Sequence, residues 1–230
     1  MPKTPADILK YIEIQRAAVK NNDTFTQRQL NRIIAEMRPF KQLLLEDEKE
    51  EVLDVIGPKG EATPLMAPRW VCHVLGLRHR CIHILLQWKS PALSNVCVLQ
   101  VRAWNKFDEP AHLDISVSGH AVGGDTIDQT TALELKEELG LSISDVQGSE
   151  LLWKTAYESA NSYPQKNFYN LEWCEVFTAE LATSAFEKIA FTDEEVVGIY
   201  LCPLSELNNL LKQKQIPLAS GLKKSIPYFL

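Results

Sequence analysis

Residues 119–141 read GHAVGGDTIDQTTALELKEELGL, and the second half of this stretch carries a complete helix signal. The pattern predicts a helix over Ile127–Leu139, with Ala132, Leu135 and Leu139 on one apolar stripe and Gly140 as a left-handed stop. Glu134, Glu137 and Glu138 then share a second face at i, i+3 and i+4, close to the C-terminal end where the helix dipole is already negative. Like charges four residues apart cost roughly 0.2–0.5 kcal/mol even in solvent. Three carboxylates at that end therefore point to a bound hard cation such as Mg²⁺.

The same residues resemble the Nudix box, G-x5-E-x7-R-E-U-x-E-E-x-G-U with U aliphatic. Gly119 is followed after five residues by Asp125, and after seven more by Leu133-Glu134-Leu135-Lys136-Glu137-Glu138-Leu139-Gly140-Leu141. Two positions depart from the signature. Asp125 replaces a glutamate with a shorter carboxylate, and Leu133 stands where the family has the arginine that orients a catalytic carboxylate.

The resemblance implies a Mg²⁺-dependent hydrolase, with Mn²⁺ as an acceptable replacement, acting on a small-molecule diphosphate such as a nucleoside diphosphate derivative. Such chemistry needs diphosphate charge neutralised, a water deprotonated and aimed at phosphorus, and a leaving phosphate stabilised. The expected metal ligands are Glu134, Glu137 and Glu138. Glu138 is central, and Glu137 or Glu172 is the expected water-activating base. Arg102, Lys106, His120 and Gly124 are the expected substrate-binding residues, the glycine loop 119–124 letting backbone approach phosphate without a Cβ in the way.

Similarity beyond the box extends over about residues 51–210 and is to the isopentenyl-diphosphate-isomerase-like branch. It is carried by EEVLDVIGPKGEATPLMAPRWVCHVLGLRHRCIHILL, by VLQVRAWNKFDEPAHLDISVSGH and by NLEWCEVF. Isomerases of this type require a cysteine directly before the Gly-His of the box entry, and here Ser118 occupies that place. A hydroxyl is a far poorer proton donor and acceptor near neutral pH than a thiol of reference pKa about 8.5. The branch also holds a metal with histidines and an E-x-E pair. His79 and His120 match two of those histidines, His73 lies one residue off the spacing, and Asn170-Leu171-Glu172 keeps one carboxylate and changes the other to an amide. Hydrolysis is therefore expected ahead of isomerisation, with a non-catalytic ligand-binding module, suggested by Leu133 and Asp125, as the alternative from another class.

A net charge of −6 argues against a general nucleic-acid binder, which presents a basic face. No apolar run is long enough for a membrane span, and the N-terminus has no signal-peptide core, so a cytoplasmic location is expected. The five cysteines, Cys72, Cys81, Cys97, Cys174 and Cys202, lack CxxC spacing and read as reduced core residues.

Residues 1–48 read as an N-terminal helical extension and 49–230 as the Nudix-like domain. In the extension, Ile8, Tyr11, Ile12 and Ile14 predict one helix, broken at Asn21-Asn22-Asp23. Thr26 and Gln29 form a capping box for a second helix, with Leu30, Ile33, Ile34 and Met37 at helical spacing. Pro39 and the acidic run 46–51 close it, and a packing or dimerisation hairpin, hence a possible homodimer, is the expected role. Strands are expected at 51–56, before the turn Gly57-Pro58-Lys59-Gly60, and at 81–86, 96–101, 113–117, 151–155, 171–177 and 196–201. A last helix runs through Leu204, Leu207, Leu210 and Leu211. The expected fold class is α/β, a Nudix-type α/β/α sandwich around a mixed sheet with an N-terminal helical extension.

Remaining residues take the plainer reading. His79 and His83, four apart on one strand face, read as packed or hydrogen-bonded core histidines. Trp70, Trp88, Trp153 and Trp173 read as core, and Trp104 as a loop residue able to flank a substrate group. The segment SYPQKNFY, residues 162–169, is either a specificity loop with Tyr163, Phe168 and Tyr169 available for stacking or an ordinary connection.

Overall fold

A computed structural model describes residues 2–21, 25–45, 50–90, 92, 94–146, 150–192 and 194–230. Three helices start with the same device: a threonine hydroxyl accepts the N–H three residues on, and the side chain there accepts the threonine N–H in return. Thr4 with Asp7 opens α1 (Pro5–Lys20), Thr26 with Gln29 opens α2 (Gln27–Met37), and Thr126 with Gln129 opens the helix predicted over 127–139. A short helix α3 (Lys41–Leu44) follows α2 beyond Pro39. The break at Asn22-Asp23 and residues 46–49 of the acidic run lie outside the described residues.

The chain forms two compact units, each assembled from separate stretches. The first comprises residues 1–80, 120–125 and 157–173. Strand β1 (Val52–Ile56) pairs antiparallel with β2 (Ala62–Pro68) through the predicted Gly57–Gly60 turn, where Gly60 sits at φ 78°. The side chain of Gln27 brackets the backbone of Met66, accepting from its N–H at 2.8 Å and donating to its carbonyl at 3.0 Å, and so ties α2 to β2. Helix α4 (Arg69–Leu75) buries Trp70, Val71, Cys72, His73, Val74 and Leu75 and ends at Gly76, φ 70°. Ile8 and Ile12 of α1 are buried, whereas Ile14 is 58% exposed and lies off the helix's packed face.

The second unit comprises residues 81–119, 126–156 and 174–230. Strand β3 (His79–Ser90) enters it and pairs antiparallel with β4 (Ser94–Arg102). On its other edge β4 pairs antiparallel with β9 (Val196–Pro203), and at Gln100 and Val101 it pairs with β5 (Leu113–Asp114) on the edge opposite β9. Strand β6 (Val117–His120) pairs with β3, and β7 (Leu152–Tyr163) and β8 (Phe168–Leu181) pair with each other, β8 also with β3. Helix α5 (Ile127–Leu139) packs Leu135 and Leu139 into a cluster with Ile82, Ile84, Leu86, Val98 and Val117. After α6 (Thr183–Phe186), helices α7 (Leu207–Lys212) and α8 (Ser220–Ser225) bring Leu207, Leu210 and Leu222 against Leu85, Leu99 and Ile115 in a second cluster.

The α/β class is thus observed, with helices around antiparallel pairings. A single strand over 113–117 is not: β5 stops at Asp114 and β6 starts at Val117. Between them the Asp114 carboxylate accepts the Ile115 N–H and the Ser116 hydroxyl accepts the Leu86 N–H at 2.7 Å. Ala132 is exposed, so it does not belong to the buried stripe of α5, and Trp153, at 61% exposure, is not a core residue. All five cysteines are buried, and none is in a disulfide. No helix among the described residues is long and apolar enough to cross a membrane.

Candidate functional site

Thr130, Thr131, Leu135, Glu138 and Leu139 are the buried residues of α5, the last four at i, i+4, i+7 and i+8. Glu138 therefore occupies a position that helix periodicity reserves for an apolar residue, and it is 4% exposed. Its carboxylate accepts the backbone N–H of Ser118 at 2.9 Å and the Gln100 side-chain amide at 3.1 and 3.2 Å. Burial, and next the charge of Glu134, raise its pKa well above the usual carboxylate range, against the pull of Ser118, Gln100 and Lys106. Such a group takes up either a proton or a nearby cation.

Glu134 is half-buried beside it, and the bare Cα of Gly119 is what admits its carboxylate: a Cβ there would overlap that group. Glu137 is also half-buried, and the last turn of α5 is held by the Thr192 hydroxyl, which donates to the Glu137 carbonyl at 3.1 Å. In the same unit Arg102 is clamped. It pairs with Asp114 and Asp108 at 3.0 Å each and donates to the carbonyls of Asp108 and Glu109. Burial alone lowers its pKa, but the surrounding carboxylates outweigh that and raise it, Asp114 foremost. Lys106 pairs with Glu195 at 2.5 Å.

Glu172, His120 and Gly124 belong to the first unit. There His73 of α4, His79 of β3 and His120 of β6 meet with their rings tilted or edge-on at centroid separations of 4.7–5.4 Å, and each offers a nitrogen within 4.8 Å of the others. His120 Nε2 donates to Glu172 Oε1 at 3.0 Å. His79 Nδ1 donates to the Leu77 carbonyl at 2.9 Å, which leaves Nε2 as the lone-pair nitrogen, buried and without a hydrogen-bond partner. Burial foremost, then His73, lowers the His79 pKa to about 4; burial foremost, then the charge of Arg69, holds His120 well below its ordinary value. Neutral imidazoles with a buried lone pair and an adjacent carboxylate fit a divalent cation. Phe168 closes the cluster with its ring 4.7 Å from that of His73, and Gly124 donates its N–H to Asp54 at 3.0 Å.

The sequence reading missed Gln100 and Asp114, the residues that hold Glu138 and Arg102. The available signal for Gln100 was a lone amide inside the apolar strand run VCVLQVR.

No family model matches the chain. Nudix hydrolase 3 of Arabidopsis thaliana is 30% identical over 172 residues, 72% of this chain and 21% of that protein. The chain is thus similar to Nudix hydrolases over most of its length. An isopentenyl-diphosphate Delta-isomerase of Haloarcula marismortui is 32% identical over 138 residues, 57% of this chain and 65% of that protein. Among solved structures, DR0079 of Deinococcus radiodurans shares the fold, with a TM-score of 0.57 at 17% identity over 77% of this chain and 98% of that one. The chain thus spans about a fifth of its Arabidopsis relative and 65% of the isomerase. Within the Nudix box of this chain, the departure at Leu133 lies on the surface, 38% exposed, rather than in the core.

Proposed function

We propose that the protein is a Nudix-type hydrolase that uses Mg²⁺, or Mn²⁺, to cleave a diphosphate linkage in a nucleoside-diphosphate derivative or other organic diphosphate. The observation that carries this reading is the buried Glu138 carboxylate beside Glu134, a pair whose ionised form needs a cation. Glu134, Glu137 and Glu138 would hold the metal, which supplies charge neutralisation and a more acidic bound water when present. Ser118 and Gln100 orient Glu138, and Glu137 or Glu172 is the proposed base. Lys106, Arg102, His120 and Gly124 are proposed to bind substrate. The ion pairs of Lys106 and Arg102 mean that a phosphate would have to compete with Glu195 and with Asp108 or Asp114. Five buried cysteines outside any disulfide support a reducing, cytoplasmic setting. Exposed Leu9, Ile14 and Leu43 support a homodimer through the extension at residues 1–48. The test is a broad panel of organic diphosphates with Mg²⁺, scored for phosphate-ester products. Turnover of at least one compound, lost in Glu138→Gln, is expected. Binding without turnover across the panel would favour the ligand-binding module.

A second reading rests on its own observation, the lone-pair Nε2 of His79 beside His120 and Glu172. A metal held by this set belongs to an isomerase-like activity on isopentenyl diphosphate, and similarity to the archaeal isomerase supports it. Ser118 is the residue that sets this reading second.

A further inference from the structure

Cys81 of β3 and Cys174 of β8 face each other across paired strands, with the Cys81 Sγ–H donating to the Cys174 Sγ at 2.7 Å. They are 2% and 0% exposed, and the His83 imidazole offers a nitrogen within 4.8 Å of both sulphurs. Helix α8 secures that ring: His83 Nδ1 lies 3.0 Å from the Ser225 hydroxyl. Two thiols in hydrogen-bond contact need only a small side-chain movement to reach bonding distance, because strand pairing already sets the spacing of their backbones. Each cysteine also follows by two residues a member of the imidazole–carboxylate cluster in its own strand, His79 in β3 and Glu172 in β8.

We propose that Cys81 and Cys174 are a redox pair that closes reversibly to an intramolecular disulfide by exchange with a low-molecular-weight disulfide of the glutathione type. One protein sulphur attacks the small disulfide RSSR, forming a mixed disulfide and releasing RSH. The other protein sulphur attacks the protein sulphur of that mixed disulfide and releases the second RSH. The two cysteines together lose two electrons and two protons, and RSSR gains both as two RSH. Burial confines the first step to local openings of the strands, so oxidation is slow and the closed bond is equally shielded from reduction. His83 is placed to accept the proton that leaves the attacking thiol. The chain contains its own comparison: Cys97 and Cys202 are register partners across β4 and β9 and are equally buried, but the Cys202 thiol donates to the Pro203 carbonyl at 3.5 Å and not to Cys97.

The experiment treats the reduced full-length protein with oxidised glutathione, and in parallel refolds reduced, denatured protein in a glutathione redox buffer, so that access to a buried thiol cannot decide the result. Intact mass and peptide mapping read the product. The expected result is a mass lower by two hydrogen atoms, a peptide linking Cys81 to Cys174, and a reversible rise in Tm. The linkage should persist in Cys97→Ser/Cys202→Ser and vanish in Cys81→Ser. Persistence of both thiols after refolding under oxidising conditions overturns the proposal, as does a Cys97–Cys202 linkage in place of this one. Stoichiometric uptake of Zn²⁺ that protects Cys81 and Cys174 from alkylation and from oxidation also overturns it, assigning the trio to a thiophilic metal.

Discussion

The backbone N–H of Ser118 points at the carboxylate of Glu138 and donates to it at 2.9 Å. The position at which an isomerase would need a thiol is therefore already bound, through its main chain, to the carboxylate at the centre of the acidic helix face. A main-chain donor is indifferent to the side chain that follows it. Substitution of Ser118 can thus alter proton transfer while leaving the carboxylate where it is, which separates the two chemistries experimentally.

Glu138→Gln should raise the stability of metal-free protein. A carboxyl whose folded pKa lies above its unfolded value stabilises the fold at low pH and loses that contribution as pH rises through the folded value, so the gain in the variant should be larger at pH 8 than at pH 5. Glutamine keeps the Ser118 bond, and Gln100 can turn its amide to accept from the new side chain. In EDTA, thermal melts at the two pH values should differ by a few degrees more for wild type than for the variant. Adding Mg²⁺ at about 100 times its dissociation constant should stabilise wild type by about 2.7 kcal/mol and leave Glu134→Gln/Glu138→Gln unchanged. An equal Mg²⁺ response in the double variant would remove the carboxylate face as the metal site.

Gly119→Ala tests the glycine of the box. The new methyl group meets only the far end of the Glu134 side chain, which is flexible, so folding should suffer by less than about 1 kcal/mol. The Mg²⁺-induced rise in Tm should nonetheless shrink, because Glu134 is turned away from Glu138. Loss of stability with an intact Mg²⁺ response would mean that the glycine serves the backbone and not the carboxylate.

Much of this was legible where several local signals agree. Helix α5 combines a capping box at Thr126–Gln129, apolar spacing and a glycine stop, and its predicted bounds match the observed ones. Helix α4 gave no period because almost every residue in it is buried, and β2 was hidden by Pro64 and Pro68 within seven residues. The site divides the same way. The three glutamates were readable as a helix face, but which of them is buried depends on Gln100 and Ser118, distant in sequence. His73 fell outside the expected spacing because spacing alone carries no information about the turn at Gly76 that brings its ring to 5.2 Å from His79. Trp153 was misread because composition records that a residue is apolar and not which edge of a strand it occupies.

Leu133→Arg restores the arginine of the box at an exposed position of α5. The side chain is 38% exposed, so the longer cation should neither overpack the core nor shift stability by more than about 0.5 kcal/mol. If an arginine here orients a catalytic carboxylate, turnover of any substrate found in the diphosphate panel should increase, about tenfold for each 1.4 kcal/mol of transition-state stabilisation. Steady-state kinetics on the folded variant decide the matter. A flat kcat would mean that Leu133 does not limit activity.

Ser118 finally separates hydrolysis from isomerisation. Isomerisation moves a proton across an allylic system and needs an acid–base pair at two positions, whereas diphosphate hydrolysis makes no demand on this hydroxyl. Wild-type protein given isopentenyl diphosphate and a divalent cation in deuterated water should leave the allylic protons unexchanged by NMR, and Ser118→Ala should retain most hydrolysis of the compound that the panel identifies. Ser118→Cys supplies the missing thiol without moving the 118 N–H from Glu138, and any exchange that appears should appear there first. Efficient deuterium incorporation by wild type would instead make Glu172, which already accepts from His120 at 3.0 Å, the leading proton-transfer group and would reverse the order of the two proposed activities.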